Sequence, residues 1–399
     1  MVKAYRDCFT TSVQDKLQWF KQATWDGELG RQARLALKEL LENSLVQEIE
    51  LQIGGLSPYQ RDEHRLDQRN GYYIRQLDTE RGCIADLRVP RSRNGVYQPE
   101  VFRRYQRRSG AVDEAILRIF CGGNSTRHVG EVLELLVGAS VSATTVSQVT
   151  KALDPYVRAY HRRPLEDRYQ YLLLDGIALR SKGAGGRKHV LVLTAYGITR
   201  DGYRELIDFC QADSEGEAPW TRFLQSLYQR GLVGDNLRLV TTDGAAGLIA
   251  ALDMVFPLVP RQRCWVHKLR NVAGKLRKVN QKECLKQAKQ IYLAANRLQA
   301  TSRFRAWQER WGTVEPKAVT CLAEDIDALL TVFDVPAAHR IVVRTTNPIE
   351  RCFREVRRRT RPMTCFNNAG SIDRIMFAVF MHQTANWSKH PIRHFTQKT

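Results

Sequence analysis

The stretch from Tyr169 to Ala178 reads YQYLLLDGIA, a β-forming run that carries one acid, Asp175. Two further β-rich runs follow, at Lys188 to Tyr196 and at Tyr203 to Phe209, and short glycine-containing connections separate the three. Strands joined by such short connections pair in antiparallel fashion. The stretch therefore predicts the first strand of an antiparallel three-stranded unit.

Helices and strands alternate after this unit. The apolar periodicity predicts a helix over Ala218 to Arg230, a strand over Leu237 to Thr241, a helix over Gly244 to Met254, a strand over Leu258 to Arg263 and a helix from Trp265. The order β-β-β-α-β-α-β-α is that of the ribonuclease-H-like fold, an α/β fold with a mixed five-stranded sheet. Most of Gln281 to Ala338 is predicted to be helical, as an all-α insertion before a last basic helix that starts near Asn347.

Three acids stand where this fold could bring them together. Asp175 lies in the first strand, Asp243 ends the fourth, and Glu350 lies in the first turn of the last helix. Each also has a structural explanation: a turn at Asp175-Gly176, an N-cap at Asp243, and a capping box with proline at N1 and Glu350 at N3. Since the first and fourth strands of this fold are adjacent, the three carboxylates could instead hold two divalent cations roughly 4 Å apart. Mg²⁺ prefers oxygen ligands, so the acids together indicate phosphodiester cleavage or strand transfer.

The charge of the chain indicates a polyanionic partner. Its 399 residues have a formal net charge of +20, and the stretches 261–282 and 351–361 alone carry +8 and +5. Both stretches border the three acids, so the scissile DNA is expected to lie there. In the last helix, arginines share or adjoin the face of Glu350, opposite an apolar stripe of Ile349, Phe353 and Val356. A solvated charged face is the alternative explanation.

The region before the strands resembles a DNA-binding domain. The sequence predicts three short helices that match a helix-turn-helix. The first covers Ala111 to Phe120, the second is capped by Ser125, and the third opens at Ser140 or Ser142 and runs to Leu153. Polar side chains of the third helix can reach base edges and phosphates, although any three-helix packing unit would give the same pattern. The chain before it is predicted to form a packing or dimerising helix from Arg31 to Ile53 and a hairpin between Tyr72 and Pro90. The arginines that border the hairpin either contact phosphate or are solvated.

Fourteen residues are expected to contact DNA. They are Arg107, Arg108, Thr144, Thr145, Ser147, Gln148, Lys151, Lys268, Arg270, Arg351, Arg354, Arg357, Arg358 and Arg361.

Cys264 and His267 have the spacing of half a zinc site, but no second Cys or His pair nearby completes four ligands. His267 could instead approach a phosphate or orient the active-site helix, or the two could be a buried cysteine and a core histidine. The nine cysteines are odd in number and irregularly spaced, which predicts reduced thiols in a cytosol. No apolar run approaches the roughly 20 residues of a membrane span, and the start lacks a hydrophobic signal segment. A membrane or secreted protein is therefore not expected.

Several motifs together resemble the Mutator-like transposases of bacterial insertion sequences. In the second half of the chain they are Leu174-Asp175-Gly176, Thr242-Asp243-Gly244, RCWVHKLRNV at 263–272 and TTNPIER at 345–351. In the first half they are Arg69-Asn70-Gly71-Tyr72, VPRSRNG at 89–95, YQRR at 105–108 and Asn124-Ser125-Thr126-Arg127. The resemblance extends from about Arg31 to the end of the chain.

The resemblance implies a DDE transposase with Asp175, Asp243 and Glu350 as its catalytic, metal-binding triad and two Mg²⁺ ions, for which Mn²⁺ could substitute in vitro. It also implies that Cys264 and His267 form the Cys-x-x-His signature of the family. Such enzymes bind terminal inverted repeats through their N-terminal region, nick and transfer strands of double-stranded DNA, and are thought to pass through a circular intermediate. A bacterial, cytoplasmic, nucleoid-associated protein is expected, as a homodimer or larger assembly because two element ends must be paired. A structure-selective nuclease on the same core and a non-catalytic DNA-binding regulator are the alternatives.

These interpretations divide the chain into six regions. They are a helical or dimerising region at 1–68, a basic hairpin at 69–110, a helix-turn-helix at 111–165, the first part of the core at 166–280, the helical insertion at 281–338, and the last part of the core, with the Glu350 helix and a C-terminal tail, at 339–399.

Overall fold

The computed structural model describes residues 27–54, 66–103, 106–138, 141–183, 186–361, 366 and 368–396. Part of the predicted region 1–68 and the residues Arg104, Tyr105, Ser140, Cys8 and Cys365 lie outside these ranges. The chain forms two compact units, Met1–Lys151 and Ala152–Thr399.

The first unit combines a long helix, a hairpin and three short helices. Helix α1 (Glu28–Ile53) packs on strand β2 (Gly82–Ser92), which pairs antiparallel with β1 (Arg69–Thr79). Leu45, Leu77, Leu87 and Phe102 belong to the buried core between them. The predicted hairpin is confirmed, and its strands are longer than the sequence suggests.

The three predicted short helices are present as α2 (Gly110–Cys121), α3 (Thr126–Val137) and α4 (Ala143–Thr150), and they pack against one another. Their N-caps are serines whose hydroxyls accept backbone N–H bonds, and Ser142 opens α4. Gly138 ends α3 with φ 71°, a left-handed conformation that favours glycine. The α-helical part of α4 is shorter than predicted because a 3₁₀ turn, Lys151–Leu153, takes over its last residues.

The second unit is built on a five-stranded sheet of order β5-β4-β3-β6-β7. The long strands β3 (Tyr169–Gly183), β4 (Gly186–Thr199) and β5 (Arg204–Ala212) are antiparallel, whereas β6 (Leu239–Thr242) and β7 (Arg261–Arg263) continue the sheet in parallel with β3. This mixed α/β sheet is compatible with the predicted ribonuclease-H-like order. Strand β3 is the central strand.

Helices cover both faces of the sheet. On one face α6 (Glu217–Gln229) and α7 (Ala246–Val255) bury Trp220, Leu224 and Leu252 against Leu172 and Leu174. On the other face lies α15 (Ala369–Trp387), where Phe380 contacts Phe209 edge to face. Within the predicted last part of the core, 339–399, this segment is a 19-residue core helix, and the short α16 (Arg393–Thr396) follows it.

Helix α5 (Asp154–Arg162) also belongs to the second unit, although the predicted helix-turn-helix region extended to residue 165. It packs on α15 and β5, and its Asp154 accepts bonds of 2.6 and 3.2 Å from buried Arg374.

The stretch between the sheet and the last basic helix is helical, as predicted. Following α8 (Trp265–Ala273) come α9 (Lys278–Tyr292), α10 (Arg297–Trp311), α11 (Pro316–Ala323), α12 (Ile326–Leu330), a 3₁₀ turn (Thr331–Asp334) and α13 (Ala337–Val343), and then α14 (Asn347–Thr360). Within the described ranges, no helix combines the length and apolarity needed to cross a membrane.

Candidate active site

Asp175 lies on β3, and Asp243 directly follows the neighbouring parallel strand β6. Leu173 of β3 is in register with Thr241 of β6, and each aspartate follows two residues later. Asp175 is 9% exposed, lies within β3 and accepts a 2.8 Å bond from the Gly176 N–H. The alternative of a turn at Asp175-Gly176 is therefore wrong, because the strand continues to Gly183.

Asp243 does not cap the helix that follows it. Helix α7 starts at Ala246 with Ala245 as its N-cap residue, and the Asp243 carboxylate accepts a 3.0 Å bond from the Ala245 N–H. That bond forms a tight turn at the end of β6, with Gly244 at φ 85°. The turn fixes the carboxylate at the carboxyl end of the strand, beside Asp175.

Glu350 is held by two basic side chains of α8. Thr346 is the N-cap residue of α14, and its side chain makes no capping bond. Glu350 is therefore the fourth residue of the helix, one position beyond N3. The capping-box alternative, which needs Glu350 at N3, is wrong. The carboxylate oxygens of Glu350 accept bonds of 2.9 and 3.2 Å from Arg270, and one of them lies 3.3 Å from His267 Nε2. The carboxylate is therefore directed towards α8 and the sheet.

His267 links Glu350 to Cys264. The buried Cys264 thiol accepts the Thr346 N–H at 3.3 Å, and His267 Nδ1 lies 3.4 Å from the Thr346 hydroxyl. Burial acts to raise the pKa of Cys264, but hydrogen bonds from His267 and Thr346 hold it below its ordinary value. The hydrogen bond with Cys264, together with the charges of Asp175 and Glu350, raises the pKa of His267 to about 9. His267 therefore lies between Glu350 of α14 and the Cys264–Thr346 pair, and its role as a phosphate contact, an orienting residue or a core histidine stays a prediction.

The electrostatics show that the acids share one environment. Burial, with a smaller contribution from the carboxylates of Asp243 and Glu350, raises the pKa of Asp175 to about 6, although His267 and the Gly176 N–H oppose the shift. Such a shift is characteristic of buried carboxylates in functional sites.

Glu215 is a fourth acid that the sequence analysis missed. It lies in the loop between β5 and α6, and burial and the charge of Asp243 raise its pKa. Its Oε1 lies 3.0 Å from where a Cβ of Gly176 would be, and the backbone of Glu215 to Glu217 lies 2.7 Å from where a Cβ of Gly247 would be. Two glycines thus allow this loop to lie against β3 and α7. The loop has no periodic pattern, and only its acid-rich sequence could have drawn attention to it.

The donor set suits a hard divalent cation, because carboxylate oxygens are the ligands that Mg²⁺ prefers. Burial, and to a smaller extent repulsion by Asp243 and Glu350, raises the pKa of Asp175, and a bound cation would stabilise its ionised form. Among the described residues, however, no three His, Cys, Asp or Glu side chains are arranged to hold an ion as they stand. Glu350 is engaged by Arg270 and His267 instead.

Comparison with known proteins identifies the chain. It matches the family model described as "Transposase, Mutator family" over residues 9–390. The chain belongs to the Mutator family of transposases.

Relatives with similar sequences are named as transposases of insertion sequences. The chain is 34% identical to the transposase of ISRM5 from Rhizobium meliloti (strain 1021), over 89% of this chain and 87% of the relative. It is 37% identical to that of IS406 from Burkholderia multivorans, over 84% and 86% respectively. It is 35% identical to that of IS256 in transposon Tn4001 from Staphylococcus aureus, over 88% of each chain. These matches confirm the resemblance to the transposases of insertion sequences.

The arginines of α14 in this transposase are exposed beside Glu350. Ile349, Phe353 and Val356 are buried, as predicted. The exposed arginines are Arg351, Arg354, Arg357, Arg358 and Arg361, of which Arg358 pairs with Glu355 at 2.8 Å. Arg270 is 58% exposed even though it binds Glu350, so it can also face a ligand.

Lys268 is predicted to contact DNA, but its side chain is buried in the structure. Its side chain is 3% exposed and pairs with Asp325, which also accepts a 2.7 Å bond from Arg263. A buried, paired ammonium group is not free to bind phosphate, so we correct its role to structural. Lys268 joins α8 to the helical insertion of the transposase.

The predicted DNA-reading residues of the first unit are accessible to differing extents. Thr144, Gln148, Lys151 and Arg107 are exposed, and Ser147 is half-buried. Thr145 is also half-buried, and its hydroxyl lies 2.9 Å from that of Ser142 at the helix start. Arg108 is half-buried and binds Asp113 at 2.8 Å, which leaves its guanidinium less available to DNA than that of Arg107. The buried Val146 fixes which face of α4 points outward.

Proposed function

We propose that this transposase binds the terminal inverted repeats of an insertion sequence and catalyses Mg²⁺-dependent cleavage and strand transfer of double-stranded DNA. The observation that carries the proposal is the buried Asp175 on β3, two residues beyond the last pair of its ladder with β6, beside Asp243 just after β6 and within reach of the charge of Glu350 on α14. The family and its named relatives support the same activity.

In this mechanism Asp175 and Asp243 would hold the metal ions, and Glu350 would complete the site. Bound Mg²⁺ would supply Lewis-acid activation of a water or a 3′-hydroxyl and charge stabilisation at the leaving 3′ oxygen. The backbone bond from Gly176 and the turn at Asp243 fix the two aspartates, while Arg270 and His267 orient Glu350. The contacts of the two aspartates are made before DNA binds, whereas Glu350 would have to exchange its pairing with Arg270 for the metal.

DNA is held on two surfaces in this proposal. The exposed arginines of α14, Arg354 and Arg358 among them, contact the phosphate backbone beside the acids. In the first unit, the polar face of α4 reads the repeat. We expect the transposase to act as a dimer or larger assembly, because two ends of the element are joined.

Strand transfer on the element's own ends tests the proposal. The purified full-length protein is given repeat-ended DNA and Mg²⁺, and Glu350→Gln and Asp175→Ala are compared with Glu309→Gln, which changes an exposed acid of α10. We expect wild type and Glu309→Gln to cut and join strands and to lose both activities with EDTA, whereas the two triad variants bind the repeat without cutting it. Metal-dependent cleavage by Asp175→Ala would contradict the site. Cleavage without joining would identify a nuclease, and repeat binding without any chemistry would identify a regulator.

A further inference from the structure

A cavity of about 740 Å³ lies beside the catalytic helix, entirely within the second unit. It is bordered by the start of α14, by residues just before it, and by the ends of α9 and α15. Asn347, Pro348 and Arg351, the neighbours of Glu350 on α14, line its wall. Its size is that of a site for one small ligand, within the roughly 300–1,000 Å³ usual for such sites. A DNA duplex is too large for it.

The cavity wall carries an excess of positive charge. Four arginines line it: Arg204, Arg344, Arg351 and Arg354. Glu355 is the one carboxylate among the described lining residues, and it is engaged by Arg358 and Arg359 at 2.8 and 2.7 Å. No carboxylate within the described ranges pairs with any of the four.

Two of these guanidinium groups are partly withdrawn from water. Arg344 is half-buried and stacks over Tyr292 at 4.6 Å, and burial lowers its pKa. Arg204 lies 5.5 Å from the ring centre of Trp387 and donates to the His390 carbonyl at 2.7 Å, while its buried Nε has no partner in the described part of the chain. Charges that are withdrawn from water are normally paired. An anion bound in the cavity would pair with them.

The remaining groups of the wall suit a nucleobase. Trp387 and Tyr292 are half-buried and line the cavity, with Arg204 over the Trp387 ring and Arg344 over the Tyr292 ring. Asn347 and Gln383 add amide groups that donate and accept hydrogen bonds. Aromatic rings that stack a base, next to arginines that bind phosphate, are the elements with which proteins bind unpaired nucleotides.

We propose that this cavity binds one nucleotide unstacked from the DNA strand at the catalytic centre, with its base against Trp387 and its phosphate at Arg344 and Arg351. The inference rests on the proposed function in taking DNA as the partner. The proposed site lies on the face of α14 opposite its buried apolar residues Ile349, Phe353 and Val356. The nucleotide would fix the position of the strand relative to Glu350.

Binding of an unpaired strand tests this site without any catalysis. The full-length protein in EDTA is titrated into a short fluorescein-labelled oligodeoxythymidine and, separately, into a labelled blunt duplex of the same length. We compare wild type with Arg344→Gln, Trp387→Leu and Trp387→Phe. The control is Arg222→Gln, which removes an exposed arginine from α6 on the opposite face of the sheet. Thermal unfolding verifies that each variant is folded.

We expect Trp387→Leu and Arg344→Gln to bind the unpaired strand about tenfold more weakly, the effect of losing one stacked base or its phosphate contact. Trp387→Phe and Arg222→Gln should stay close to wild type, and the duplex should be bound almost equally by all. Equal losses on both probes, an equal loss in Arg222→Gln, or no loss in Trp387→Leu would overturn the inference. Displacement of the strand by inorganic phosphate as effectively as by thymidine monophosphate would also overturn it. A wild type that binds neither probe would contradict the proposed function itself, whereas the other failures leave it intact.

Discussion

The free protein should become more stable when Asp175 loses its charge. Burial, together with the charges of Asp243 and Glu350, raises the pKa of this carboxyl from 3.8 to about 6, which means that the folded state disfavours the ionised form. A shift of about two pKa units at about 1.4 kcal/mol per unit corresponds to roughly 3 kcal/mol. We therefore expect Asp175→Asn to raise the free energy of unfolding at pH 7 by up to about 3 kcal/mol in the absence of metal, while it abolishes strand cleavage.

The pH dependence follows from the sign of the shift. Because the pKa is raised in the folded state, the ionised carboxylate destabilises the wild type fully above about pH 6, and this penalty disappears as the pH falls below the unfolded value of 3.8. The advantage of Asp175→Asn over wild type should therefore be largest near pH 7 and vanish below about pH 4. Mg²⁺ should also reduce the advantage at pH 7, because it stabilises the wild-type carboxylates and has less to bind in the variant.

Urea unfolding of both proteins in EDTA, at several pH values and again with Mg²⁺, measures these differences. Asp201→Asn is the matched control, because it removes an exposed carboxylate at the turn between β4 and β5 and should leave the pH dependence unchanged. The reasoning is refuted if Asp175→Asn is no more stable than wild type at pH 7, or if its advantage persists undiminished at pH 4.

Three other predictions concern single side chains. Lys268→Ala should lower the free energy of unfolding by roughly 3 kcal/mol, because Asp325 then loses one of its buried partners. Lys275→Ala, which changes an exposed lysine nearby, should alter it little in the same denaturant titration. Gln148→Ala should weaken binding to the element's repeat by about 1–3 kcal/mol and leave binding to unrelated DNA unchanged in a gel-shift comparison; an equal loss on both DNAs would contradict base reading by α4. Glu215→Gln should slow Mg²⁺-dependent cleavage of repeat-ended DNA without reducing its binding, and unchanged cleavage would exclude this acid from the site.

Local sequence was enough to predict most of the sheet and the positions of the acids. The β-rich runs around Asp175 and before Asp243 each predict a strand, and the order of elements predicts that these two strands are adjacent in the sheet. Strand β7 is shorter than predicted: Leu258 is 93% exposed, and Pro260 has no N–H to give to a sheet ladder. Pairing begins only at Arg261.

Contacts between distant parts of the chain were beyond the reach of the sequence. Lys268 has the appearance of one more DNA-binding residue, and only its encounter with Asp325, 57 residues later, reveals that it is buried. The bonds from Arg270 to Glu350 span 80 residues and are equally hidden. Helix α15 is a different case, because Ile372, Ile375, Met376, Val379 and Phe380 do recur at helical spacing and the signal was present in the sequence.

The helical stretch from α9 to α13 begins after α8 and ends just before α14. Its end is fastened where the Arg344 carbonyl accepts the Trp265 N–H at 3.2 Å, and the Val343 carbonyl accepts the Thr241 hydroxyl at 2.6 Å. The Thr346 N–H then donates to Cys264 immediately before α14 begins. Residues 343–346 therefore fix where α14, and with it Glu350, begins beside the sheet. Because they bind β6 and α8 directly, one short segment ties the start of α14 to the strand that precedes Asp243 and to the helix that carries His267 and Arg270.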